Sequence, residues 1–181
     1  MFKFDSINFS IFPVGFFSIT LLVACSGGGS GSSNDRAGGP TATDISVNSF
    51  TVKGTSSPLL PGMPEPIDPY ENEGVFTVNY EIDANGTVDI EFSLMEPDDD
   101  PAIFCGKEST KFYDKDCGPS KGCGLIENVE CKFEANYEIS CGGDKKNITA
   151  FMDELPKRAQ LVMCVSGSGT RTFFSDQVEL R

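Results

Sequence analysis

The 181-residue sequence contains no histidine and no tryptophan, and only 14 residues are Lys or Arg against 27 that are Asp or Glu. Without histidine the chain cannot build a Ser-His-Asp or Cys-His nucleophile pair, a His-ligated zinc site or an imidazole general base. Its formal net charge of -13, with no basic stripe anywhere, argues against a nucleic-acid partner, because phosphates would be repelled at long range. Cysteines are present, but none forms a Cys-x-x-Cys pair of the kind used for zinc or thiol redox work. What remains is a chain that is 39% apolar, enough to bury one real core.

The amino end reads as an export signal over residues 1–24. Lys3 gives it a weakly positive start, tempered by Asp5, and Ile11 to Ala24 form an apolar run without charge. At about 1.5 Å per residue that run makes a helix of roughly 21 Å, short of the ~30 Å hydrocarbon thickness, which favours a signal over the alternative of a permanent transmembrane anchor. The run ends at Leu22-Val23-Ala24-Cys25, which resembles the lipobox of bacterial lipoproteins. The resemblance implies cleavage between Ala24 and Cys25, a diacylglycerol on Cys25, and attachment to a membrane through that lipid, since two buried acyl chains suffice for stable anchoring. Ser26, where inner-membrane lipoproteins of enteric bacteria carry Asp, implies by the same analogy the outer membrane. The chain has seven cysteines, and removing Cys25 leaves an even number, as exported disulfide proteins normally carry.

After Cys25, residues 26–40 read SGGGSGSSNDRAGGP, a composition that buries nothing and acts as a flexible tether of about 21 to 23 Å root-mean-square span. Residues 41–181 then form one domain of short alternating runs separated by Gly, Pro, Asn and Asp, the pattern of an all-β fold. Phe76, Val78, Tyr80 and Ile82 share one face of a strand, and Val88, Ile90, Phe92 and Leu94 share one face of the next. The three-residue connection Ala84-Asn85-Gly86 keeps the two faces matched if the runs pair directly, and is a corner if they belong to facing sheets.

Residues 131–141 alternate throughout, with Cys131, Phe133, Ala135, Tyr137, Ile139 and Cys141 on one face, and read as one half-buried strand. Ten steps at about 3.3 Å would put Cys131 and Cys141 roughly 33 Å apart, so in a continuous strand they could not bond each other. Further strands are expected at 44–53, 147–152, 159–166 and 171–180. The first should carry a bulge near Asn48-Ser49, where the apolar parity switches, and Ser166 to Gly169 should make the last hairpin turn. The proline-rich stretch between Gly54 and Gly74 is expected as an extended loop.

These strands predict a two-sheet antiparallel sandwich. The last third, NITAFMDELPKRAQLVMCV and the hairpin after it, resembles immunoglobulin-like and fibronectin type III modules. Residues 96–130 depart from that pattern and are expected as a disulfide-held insertion.

Cys105, Cys117, Cys123, Cys131, Cys141 and Cys164 are candidate disulfide partners, an oxidising compartment following from the signal. Asp98, Asp99 and Asp100 crowd one loop and are weak candidate calcium ligands, although the spacing matches no regular calcium loop; no other cofactor is indicated. No carboxylate pair can be nominated as catalytic. The expected function is therefore non-catalytic: an envelope lipoprotein anchored through Cys25 that presents a β-sandwich to a protein or glycan ligand, using loops at one end. A carboxylate-dependent hydrolase of cell-surface polysaccharide and a structural assembly factor are the alternatives.

Overall fold

The structure is a computed structural model that describes residues 40–105, 110–119, 121 and 123–181. The expected signal segment, Cys25 and all of the tether before Pro40 lie outside these residues. In chain order the strands are β1 (Ile45–Lys53), β2 (Glu65–Ile67), β3 (Val75–Ala84), β4 (Val88–Met95), β5 (Lys111–Cys117), β6 (Ile126–Glu134), β7 (Glu138–Ser140), β8 (Lys146–Asn147), β9 (Lys157–Ser166) and β10 (Arg171–Leu180), with one short helix, α1 (Pro101–Phe104). They form two sheets of order β1-β3-β6-β7-β8 and β2-β10-β9-β4-β5. Strands β1, β3 and β6 occupy the places of A, B and E, and β5, β4, β9 and β10 those of C′, C, F and G, in an immunoglobulin-like sandwich.

Period-two alternation builds the core. Phe76, Val78, Tyr80 and Ile82 of β3 face Ile90, Phe92 and Leu94 of β4 and Leu161, Met163 and Val165 of β9, and all are buried. Each such side chain contributes about 1.5 to 3 kcal/mol on leaving water. At the centre the Phe92 ring stacks on Tyr113, with centroids 4.4 Å apart, and meets Tyr80 edge-on at 6.2 Å.

The runs on either side of Ala84-Asn85-Gly86 belong to different sheets, so that connection is a corner and not a hairpin. The bulge in β1 falls between Val47 and Ser49, where the parity switch placed it. The final hairpin closes with Gly167 N donating to Thr170 O.

Four expectations need correction. The run 131–141 is a hairpin and not one strand: β6 stops at Glu134, the chain turns through residues 135–137 with Tyr137 at φ +61°, and β7 returns with Phe133 opposite Ile139. A turn of odd length preserves side-chain parity, so the alternation passes through it unbroken. The fold brings Cys131 and Cys141 to a Cα separation of 4.0 Å and bonds them. The strand expected at 147–152 is only β8, because Phe151 N and Met152 N both donate to Ile148 O and close a turn. The proline-rich loop contains β2, which pairs parallel to β10 and makes that sheet mixed; Pro66 is tolerated because β2 lies at the sheet edge. Residues 96–130 are not an insertion, since they supply β5 beside β4 and the start of β6 beside β3.

Candidate functional site

Strand directions sort the loops between two ends of the sandwich. Residues 40–44, 84–87, 118–125 and 167–170 lie at what we call the near end; 54–74, 135–137 and 148–156 connect strands at the far end, where segment 96–105 also begins before running back to Cys105, beside Cys164 and Arg171. Of the cysteine-rich stretch 96–130, the acidic part therefore shares the far end with the proline-rich loop, while the Cys117–Cys123 loop stands at the near end.

The near end is closed by backbone. Thr87 N donates to Pro40 O at 2.9 Å, Ala42 N to Thr87 O at 2.8 Å and Ser168 N to Ala42 O at 2.7 Å. Asn85 locks the junction, its Oδ1 accepting from Thr43 N and Asp44 N while its Nδ2 donates to Thr43 Oγ1. The approach is close enough that a Cβ on Gly86 would stand 2.3 Å from Pro40 O, and one on Gly167 2.3 Å from Ala42 O. The Asn85-Gly86-Thr87 motif is accordingly a structural junction. Cys117 bonds Cys123 here, and the Tyr80 hydroxyl donates across the core toward Gly124 O at 3.3 Å and lies 3.0 Å from Cys123 Sγ. Burial raises the Tyr80 phenol above its usual range, and the neighbouring Tyr113 and Glu127 push the same way.

The far end is acidic. Loops 54–74, 96–105 and 148–156 hold Glu65, Asp68, Glu71 and Glu73, then Glu96, Asp98, Asp99 and Asp100, then Asp153 and Glu154, ten carboxylates with no Lys or Arg in the same segments. The near-end segments hold one of each sign, Asp44 and Lys121. Lys157, at the start of β9, bridges Glu96 at 2.8 Å and Asp153, and sits 4.7 Å from the Phe151 ring centroid. Burial alone would lower its pKa, but the hydrogen bonds to Asp153 and Glu96 hold it above the usual lysine value.

The candidate calcium loop is organised from inside. Buried Gln160 points Nε2 at the carbonyls of Glu96 (3.2 Å), Pro97 (2.6 Å) and Asp99 (3.3 Å), and the Asp100 carboxylate accepts from Ala102 N to cap α1. The carbonyl oxygens that a hard cation would draw on thus face a protein donor. Beyond the cap, Cys105 bonds Cys164 of β9, and Met95, Cys105, Val162 and Cys164 form a small second core under α1.

Converging carboxylates occur elsewhere, on the outer face of β4 and β5. Oxygens of Asp89, Glu91 and Asp114 lie within 4.8 Å of one another. Cross-strand register creates the group, with Glu91 opposite Asp114 and Asp89 opposite Asp116. Lys111 Nζ reaches Glu91 at 3.3 Å and Asp114 at 2.6 Å. Burial, then the charges of Asp114 and Glu91, push Asp89 up to about 6. Sequence reading missed this group because its members are 25 residues apart at the extremes and meet only through strand pairing.

These arrangements define a disulfide-stapled all-β sandwich with one end sealed by backbone and the other presenting acidic and apolar loops. No family model, curated protein or solved structure matches the chain.

Proposed function

We propose that the protein is an outer-membrane lipoprotein, anchored through lipid on Cys25, whose sandwich is a non-catalytic binding module. The observation that carries this reading is the polarity of the domain. Residues 40–42, the first described, are stitched into the near end, so the chain enters the domain at the end opposite the acidic loops. Three disulfides in a chain with one further cysteine, Cys25, support an oxidising compartment. Palmitate labelling of the full chain tests the anchor: Cys25→Ala should abolish incorporation, and unchanged labelling would sink the assignment. Intact mass before and after reduction should rise by about six protons, one per bridged sulfur.

A second reading, the carboxylate-dependent hydrolase, rests on Asp89, whose raised pKa is the kind that a general acid requires. It predicts release of reducing sugar from envelope polysaccharide that Asp89→Asn removes; equal release by both proteins would dismiss it.

A further inference from the structure

We infer that the far end docks a protein segment with a basic surround and an apolar cleft, and that Leu59, Leu60 and Tyr70 are the side chains this partner receives. The inference deepens the binding-module reading and rests on it. Three large side chains of one loop, Leu59, Leu60 and Tyr70, stand in water at 81%, 64% and 84% exposure, more on average than the other large exposed apolar residues, Ile126 at 71% and Ile103 at 66% among them. Leu59 and Leu60 are neighbours in the chain and Tyr70 belongs to the same loop, and grouped exposed apolar side chains mark interaction sites more often than isolated ones do.

The loop that carries them is not slack. Its tip is a turn in which Met63 N donates to Leu60 O at 3.2 Å, with Pro61 in the second position and Gly62, at φ +83°, in the third, as a type II turn demands. Its base is stitched twice through Thr55, whose N and Oγ1 both donate to Pro66 O and whose Oγ1 accepts from Asp68 N. At the same point Gly54 approaches so closely that a Cβ would meet Pro66 O at 2.2 Å. Tyr70 N is fixed by the Asp68 carboxylate at 2.8 Å. A shape held before binding loses little conformational entropy on binding, which is the condition under which exposed Leu and Tyr yield affinity.

Charge decides between the two kinds of surface that take up apolar side chains. A bilayer with anionic lipid attracts basic residues near its surface and repels acidic ones. The far-end carboxylates other than Glu96 and Asp153, which Lys157 bridges, oppose insertion of this tip into such a leaflet. They favour a cationic protein surface, for which they supply steering and the apolar side chains supply the contact.

The test uses the full chain with a synthetic peptide of alternating Lys and Leu, read by amide chemical shifts and by titration. Shifts should concentrate at residues 57–63 and 70, and Leu59→Ser/Leu60→Ser/Tyr70→Ser should weaken binding by about tenfold or more with its melting temperature unchanged. A Glu–Leu peptide should not bind, and a Lys–Ser peptide should bind only weakly and lose its binding in high salt. Undiminished binding by the triple variant overturns the inference. So does capture of phosphatidylglycerol vesicles that depends on the same three residues, which would assign the tip to a membrane. Shifts confined to the near end would overturn this inference while leaving the binding module standing; no shift with any peptide would count against both.

Discussion

The two ends of the sandwich are built by different means. At the near end main chain meets main chain, glycines remove the Cβ atoms that would keep strands apart, and the charges of the segments sum to zero. At the far end side chains do the holding: Gln160 gathers three carbonyls, Lys157 bridges two carboxylates, and beyond them a disulfide ties the acidic segment to β9. Closure at the near end relies on backbone bonds pinned by one side chain, Asn85, and presents no excess charge to a partner. Closure by side chains leaves the loops free to carry charge and apolar groups outward, and it makes each holding residue individually vulnerable.

That vulnerability orders the expected effects. Replacing Cys105 and Cys164 by Ser should destabilise most, by about 4 kcal/mol, because their 59-residue separation closes the longest loop; the same change at Cys117/Cys123, with a separation of 6, should cost roughly 2 kcal/mol. Urea denaturation of the oxidised proteins reads both. Next, Gly86→Ala at the near end should cost about 1 to 3 kcal/mol, since Pro40 O occupies the new methyl's place, whereas Gly62→Ala at the far-end tip meets nothing within 4 Å and should cost only the left-handed backbone penalty of about 1 kcal/mol. Equal costs would erase the contrast between the ends.

Gln160→Leu should cost about 1 to 3 kcal/mol by stranding the carbonyls of Glu96, Pro97 and Asp99, and amide exchange over residues 96–102 should accelerate more than it does at the near end.

The smallest effect concerns pH. Asp89 is pushed from 3.8 up to about 6 in the folded protein, so the fold binds its proton more tightly than the unfolded chain does. Stability should therefore fall as pH rises from about 4 to 6 and stay reduced above that, set against the opposing titrations of Glu134 and Asp153, whose carboxyls lysines hold below their usual range. Asp89→Asn should flatten that part of the profile, as measured by melting temperature against pH, with Glu91, Asp114, Asp116 and Lys111 left as the facing charges.

Much of the sandwich was legible because β3 and most of β4 alternate, β1 alternates up to the parity switch at its bulge, and the turn at Ser166 to Gly169 separates β9 from β10. Strand β5 was not, because Phe112 and Tyr113 are both buried across a bulge and break the alternation that marks a strand. The Cys131–Cys141 bond was hidden by the odd-length turn, whose parity is that of an uninterrupted strand. At the candidate site the acidic loop was plain in the sequence, but not that Gln160 claims its carbonyls from 61 or more residues away. The Asp89 group needed the register of two strands, which composition does not encode.

The placement of the covalent bridges has a mechanical consequence. The first described cross-link after Pro40 is at Cys105, so a pull applied at Pro40 would break the hydrogen bonds of the near end and then peel β1 to β4 without meeting a bond that cannot slip. Those 65 residues would pay out about 220 Å of chain before Cys105 arrests the unravelling. Under tension the sandwich would lengthen like a line on a reel with a fixed stop, keeping everything between Cys105 and Cys164 tied in one covalent loop.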